Sequence, residues 1–304
     1  MPVRRPQRPD SAPRRRSRKT VLNVKTVAMA AVLAAVLIFW LHGRTAHTDT
    51  ANSAGSSKSA TNSLPLGAKN PAVQSEPNAQ PAISSAELKN LLDSIVKAKG
   101  DYAIAVVAPG GPAANANGDK AFEAASTYKL FIAYAIFQQI NSGAMSWSDQ
   151  IFGGNDAKAC FELMIVHSNN DCTYAFGDRI GWQAVDDMMD RIGLHNTQVK
   201  YFDNITTAND LALYLTKLQN GTLLNASDTQ QLLGYMKRQQ YRDGIPAGTG
   251  VPVADKVGFL NGLFHDAGIV YGPKGTYVLV IMSNNSSWSQ LADAAKQVHN
   301  FLSK

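Results

Sequence analysis

Cysteine and histidine are scarce in this chain: two and six among 304 residues. None of the histidines falls at ligand spacing, which argues against a zinc site, and no motif calls for a cofactor. No internal repeat is apparent, so solenoids and propellers are set aside. Residues 43–83 hold no Phe, Tyr or Trp and are rich in Ala, Ser, Thr, Asn and Pro. Such a stretch cannot bury enough apolar area to fold, and it reads as a tether spanning roughly 35 Å root-mean-square. Acid is nearly missing from residues 1–25, where nine Arg and Lys face Asp10 alone. That tail holds +8 while the whole chain holds +6, leaving −2 for everything after it. The basicity belongs to the tail, and no nucleic-acid-binding surface follows from it.

What is present is apolar. Hydrophobic residues make up 45% of the chain, enough for a sizeable core in one large domain or two small ones. Val27 to Leu41 is uncharged and mostly apolar, and with Val21 to Val24 across Lys25 it just reaches spanning length. Positive charge before it places the N-terminus in the cytoplasm and the rest outside, in a single-pass cell-membrane arrangement. A cleaved signal peptide is the competing reading, but no small-x-small cleavage site stands near Gly43 to Ala54. The expected organisation is a basic tail (1–25), a transmembrane anchor (26–42), a tether (43–83) and a folded domain (84–304).

The domain opens at Ser84-Ser85-Ala86-Glu87, a capping box for a helix to about Lys99. Tyr102 to Ala108 reads as a strand, the Pro109-Gly110-Gly111-Pro112 turn follows, and a weaker strand runs towards Phe122. Helical patterns occupy 157–166, 172–180, 182–192, 207–219 and 228–238. Strands return at 253–257, 267–271 and 277–282, and a last helix covers 288–302. Strands at both ends with helices between them predict one sheet closed by distant segments, with helices on it and a separate all-helical lobe.

The centre of this pattern is Ala125-Ser126-Thr127-Tyr128-Lys129, leading into Leu130 to Phe137. The run is too continuously apolar for a surface helix, so the spacing predicts a helix buried on nearly every side. Ser126 and Lys129, three apart, share its first turn. Burial lowers a lysine's pKa, and a neutral amine can take a serine's proton, which makes an activated nucleophile. Unpaired N–H groups at the helix start favour the oxyanion that follows attack. The motif alone is weak, since Ser94-Ile95-Val96-Lys97 repeats it on an ordinary amphipathic helix.

Two further elements stand downstream. Ser168-Asn169-Asn170 lies between two helices, and Lys256-Val257-Gly258 ends a strand. Ser-x-x-Lys, Ser-x-Asn and Lys-x-Gly in this order resemble the penicillin-recognising serine enzymes, above all class A β-lactamases and related penicillin-binding proteins. The resemblance covers about residues 84–304. It implies an α/β (α+β) fold with a five-stranded antiparallel sheet and a helical lobe. It also implies Ser126 as the acylated nucleophile and Lys129 as its base or proton relay. By the same resemblance Ser168 would pass a proton to the leaving nitrogen, and Asn170 would bind the substrate's side-chain amide. Lys256 would place positive charge by the substrate carboxylate, Gly258 would keep the strand edge open, and the N–H groups of Ser126 and Phe259 would form the oxyanion hole. The implied substrate is a β-lactam or a D-Ala-D-Ala-like peptide.

Departures from the family pattern matter as much. The stretch 193–207, where β-lactamases carry a water-activating glutamate, is short and has none; Asp203 is its only carboxylate. Its reach is short for a base, and a cap or loop brace ahead of Thr207 is the plainer role. Val257 replaces the usual Ser or Thr and removes one donor to the substrate carboxylate. Cys160 and Cys172 flank the Ser168 loop and are either a disulfide or two buried thiols. His265 and Asp266 are adjacent on a strand, face opposite ways and read as structural. Three functions remain open: a β-lactamase-type hydrolase, a D-alanyl-D-alanine peptidase, and a non-catalytic binding or sensor module.

Overall fold

The computed structural model describes residues 83–304. The segments expected as a basic tail (1–25), a transmembrane anchor (26–42) and a tether (43–82 of 43–83) lie outside the described residues. Among the described residues no helix is long and apolar enough to cross a membrane.

Helix α1 (Ser85–Lys99) begins with the expected capping box: Ser84 Oγ accepts from Glu87 N while Ser84 N donates to Glu87 Oε2 at 2.9 Å. Its buried residues Leu88, Leu92 and Ile95 recur at helical spacing. Ser94 and Lys97 lie among its exposed positions, so the second Ser-x-x-Lys is an ordinary surface feature. Strands β1 (Tyr102–Val107) and β2 (Ala113–Ala116) follow, then β3 (Phe122–Glu123). A 3-10 turn, Ala125–Tyr128, leads into α2 (Lys129–Asn141). A small hairpin β4 (Gln150–Phe152) and β5 (Asn155–Asp156) precedes α3 (Ala157–Val166), α4 (Asn170–Ile180) and α5 (Trp182–Arg191). Then come β6 (Ile205–Thr206), α6 (Ala208–Gln219), α7 (Ala226–Lys237) and the short α8 (Ile245–Thr249). Strands β7 (Val253–Leu260), β8 (Leu263–Gly272) and β9 (Gly275–Ser283) and helix α9 (Trp288–Leu302) complete the chain.

One antiparallel sheet runs in the order β2-β1-β9-β8-β7, so early and late segments of the described domain meet where β1 pairs with β9. Its two faces bury separate clusters. Ile104, Val106, Leu279 and Ile281 pack with Leu88, Leu92, Leu291 and Val298 of the terminal helices. Ala103, Ala105, Val278 and Val280 pack with Phe131, Ile136, Leu211 and Leu215 of the intervening helices. Period-two alternation along each strand sorts these residues to opposite faces.

Two expectations are corrected. The second strand ends at Ala116; Phe122 belongs instead to a separate ribbon, β3 with β6, pairing Phe122 to Thr206 and Glu123 to Ile205. The turn Asn117–Lys120 separates them: Asn117 takes a left-handed φ of 54° and Lys120 N donates to Asn117 O. Likewise Lys256-Val257-Gly258 does not end its strand. Pairing with β8 continues through Phe259 and Leu260, which are half-exposed despite being apolar.

Candidate active site

Helix α2 is buried as its composition requires, with Leu130 to Ala133 and Ala135 to Phe137 fully enclosed. Lys129 starts it and is itself 0% exposed. The preceding turn is held at several points. Ala124 N donates to Asn204 O at 2.7 Å, Thr127 Oγ1 donates to Ala124 O at 2.6 Å, and Ala125 takes a left-handed φ of 43°. Such a conformation costs a non-glycine residue, and these bonds over-determine it. The 3-10 geometry places residues three apart almost in line, which sets Ser126 beside Lys129.

Lys129 Nζ lies 2.9 Å from Ser126 Oγ, 2.6 Å from Ser168 O, 2.6 Å from Asn170 Oδ1 and 3.3 Å from Ser168 Oγ. Burial, and then the charge of Lys256, push its pKa down to about 6. Above that pH the amine is neutral, with two N–H donors and one lone pair. The two nearest acceptors, Ser168 O and Asn170 Oδ1, use both donors. The lone pair is left for the Ser126 hydroxyl, the orientation that a general base needs.

Ser168 owes its position to the loop between α3 and α4. It takes a left-handed φ of 58°, turning both its carbonyl and its hydroxyl towards Lys129. Asn169 caps α4, its Oδ1 accepting from Cys172 N at 2.9 Å. Cys160 and Cys172 are joined, with Cα atoms 5.2 Å apart, tying the two helices across this loop. From the sheet, Lys256 Nζ donates to Ser168 Oγ and to Val257 O, both at 2.9 Å. Burial lowers its pKa to about 7, against the opposing pull of Asp255 and Asp266.

Strand β7 is the sheet edge and passes Ser126 at Gly258. A Cβ there would come 2.9 Å from Ala124 O and 3.0 Å from Ser126 N, so only glycine allows this approach. Ser126, Lys129, Ser168, Asn170, Lys256, Gly258 and Phe259 thus converge from one turn, two helices, a loop and a strand. Ser126, Asn170 and Phe259 line one cavity of about 250 Å³. A larger hollow of about 530 Å³ lies against Pro109–Pro112 and Lys274–Tyr277; the Ser126 and Lys129 pair takes no part in it. The chemistry therefore marks the smaller one.

Asp203 also lines the Ser126 cavity. The bracing expected of it falls to neighbours: Asn204 Oδ1 accepts from Lys200 N at 2.9 Å, and Thr207 is the cap of α6. His265 faces the site side of β8 and Asp266 the other side. Ser283 N donates to His265 Nδ1, so Nε2 carries the proton and donates to Glu123 O at 2.9 Å. Both nitrogens are occupied, and burial pushes the pKa down to about 4. His265 is a neutral strut. Asp266 and Asp255 are both buried behind β7, near Arg242, which donates to Asp255, and burial raises both. Among the described residues no group of His, Cys, Asp and Glu is arranged to hold a metal ion.

The sequence reading missed the walls of the cavity. Tyr174 stacks on Tyr201 at 5.3 Å, Tyr201 meets Phe202 at 4.4 Å, and Glu123 reaches the cavity from β3. The adjacent aromatics at 201 and 202, the only ones in the stretch 193–207, were the available signal.

A family model described as the beta-lactamase enzyme family matches residues 84–302. The chain belongs to that family. Among solved structures it is similar to PBP-A, with 25% identity, a TM-score of 0.66 and coverage of 73% of this chain and 98% of that one. A PBP-A mutant solved as an acyl-enzyme complex with penicillin G gives 24% identity and a TM-score of 0.65 over 73% and 98%. A β-lactamase from Sphaerobacter thermophilus gives 22%, 0.64, 72% and 96%. No curated protein matches by sequence.

Proposed function

We propose that this chain is a membrane-anchored, extracytoplasmic serine hydrolase of the class A β-lactamase type, acylated on Ser126 by β-lactams or D-Ala-like peptide amides. The observation that carries the reading is the disposition of Lys129: two acceptors take its donors and its lone pair is left for Ser126 Oγ. Ser126 Oγ attacks the substrate carbonyl carbon as its proton passes to Lys129 Nζ. The N–H groups of Ser126 and Phe259 receive the oxyanion. Collapse breaks the C–N bond, and the leaving nitrogen takes a proton from Ser168 Oγ, resupplied from the lysines that contact it. Lys256 holds the substrate carboxylate and Asn170 its side-chain amide.

Release of the acyl group is the step for which the fold offers least. The 193–207 loop has no glutamate, and Asp203 is the carboxylate it brings to the cavity. This supports, as a second reading, a D-alanyl-D-alanine peptidase of cell-wall metabolism, to which an anchor and tether are suited. Intact mass of the full chain after mixing with benzylpenicillin separates the cases. A penicilloyl adduct lasting hours indicates the peptidase, and a transient adduct with accumulating product indicates the β-lactamase. Folded protein with no adduct refutes both. Ser126→Ala is expected to abolish the adduct at unchanged thermal stability; an adduct that survives the change means that the nucleophile is misassigned.

A further inference from the structure

Two cavities meet beside Ser126. The first, about 250 Å³, holds Ser126 and Asn170; the second, about 270 Å³, adjoins it and opens between Ala121 and Ile205. They share two residues, Glu123 and Asp203. Besides tyrosines, these carboxylates are the only ionisable groups lining either space; no Lys, Arg or His does so among the described residues. Neither carboxylate has a hydrogen-bond or ion-pair partner in the described residues. The lysines nearest in sequence line neither cavity; Lys120 is engaged by Asp101, and its Nζ also lies 5.3 Å from the centre of the Phe122 ring, which lines the second cavity. Asp203 is displayed on a left-handed turn with φ 62°.

The same wall is aromatic. Tyr201 is 41% and Phe202 64% exposed, an unusual burden of aromatic surface in open solvent. Tyr201 is held by stacking on Tyr174 and by an edge contact to Trp182 at 5.5 Å, so its orientation is set before a ligand arrives. Exposed rings with unpaired carboxylates at their edge suit a group that is both flat and cationic.

We infer that this wall selects substrates whose acyl side chain carries an ammonium group next to a flat apolar group. The inference rests on the reading of Ser126 as the acylated residue. Lys256 lies on the strand side of Ser126, where the carboxylate belongs, so the acyl side chain of the same molecule runs to the opposite side, along Asn170 and the aromatic wall. There it meets Tyr201 and Phe202 with its apolar part, and Glu123 and Asp203 with its cation. An anionic side chain meets the same carboxylates as a repulsion, which adds discrimination without any new contact.

Three penicillins of nearly equal shape test this: the aminobenzyl, benzyl and carboxybenzyl compounds. Their acylation rate constants on the full chain, followed by intact mass, are expected to fall in that order. Each step should be about three- to tenfold at low ionic strength, from two largely exposed pairings. The spread narrows at 1 M salt, because exposed charges are screened. In Glu123→Gln combined with Asp203→Asn, the three rates converge. Tyr201→Ala lowers all three together, since each shares the phenyl ring. Equal rates in the unmodified protein, or an order that survives both high salt and the double substitution, overturn the inference while leaving the acyl-serine reading standing. Absence of an adduct with all three overturns both.

Discussion

Lys129 meets two opposed demands. Folding encloses the amine, which disfavours its charge, and the proposed acylation uses the neutral form so produced. With a pKa of about 6, the lone pair is available above that pH and lost below it. Lys256, at about 7, keeps the charge that binds a carboxylate only below that value. Acylation measured as kcat/KM is therefore expected to rise through about pH 6 and fall through about pH 7. These limbs belong to the pair, which shares Ser168 Oγ. In Lys256→Met the second cause of the Lys129 shift is gone, so the rising limb moves to higher pH. A limb that stays put or moves down contradicts the assignment. Stability follows the same residue. Between about pH 6 and 10.5 the unfolded chain holds a proton on Lys129 that the folded chain does not. Stability therefore rises with pH across that window. Lys129→Met removes this slope and is expected to stabilise the fold by a few kcal/mol near pH 7, with the gain shrinking towards pH 10 in urea titrations. At this scale the Ser126 and Lys129 pair was legible because three-residue spacing fixes local geometry, whereas the Ser168 and Lys256 motifs, 42 and 130 residues further on, were placed beside it by the family resemblance. The aromatic wall and Glu123 were not legible, because what joins them to Ser126 is the β3–β6 pairing, between residues some eighty positions apart.

Among the elements, the Ser168 loop and β7 show how supports outside the reacting atoms set the geometry. The Cys160–Cys172 bond closes a short loop over a separation of 12 residues. Reduction is expected to cost about 2–3 kcal/mol of stability, seen as a lower Tm in dithiothreitol at an unchanged acylation mass. An unchanged Tm with confirmed free thiols would count against a bonded native state. Strand β7 contributes through closeness alone. Gly258→Ala puts a methyl against the backbone of Ala124 and Ser126, neither of which can rotate away. We expect acylation to fall by more than about tenfold and Tm by a few degrees, whereas Gly234→Ala, on an open helix face, leaves acylation unchanged. Strand existence was readable from β-branched runs, but strand ends were not. Val257 is buried while Phe259 and Leu260 are half-exposed, so burial stops before the pairing does.

Across the described residues, the expected helices and strands fell in the expected order, and one sheet joining the two ends of the domain followed from that order, while its antiparallel, five-stranded form came from the family resemblance. Pairing partners, such as β1 with β9, depend on contacts no local pattern encodes. Charge is the property that sequence alone partitions most sharply. Residues 84–304 carry 17 Lys and Arg against 20 Asp and Glu, so the domain is −3 while residues 1–25 hold +8. The proposed anchoring implies two separable attractions to a membrane: the tail to anionic headgroups, and the apolar stretch 26–42 to the bilayer interior. Only the first is screened by salt. Cosedimentation with vesicles of 30% anionic lipid is expected to capture the full chain and leave residues 84–304 in solution. Adding 0.5 M salt should weaken capture of a chain lacking 26–42 while leaving capture of the full chain nearly intact. If residues 84–304 sediment as strongly as the full chain, the folded domain carries a membrane surface of its own and the tail is not what recruits it. If the full chain is released by salt, residues 26–42 do not enter the bilayer.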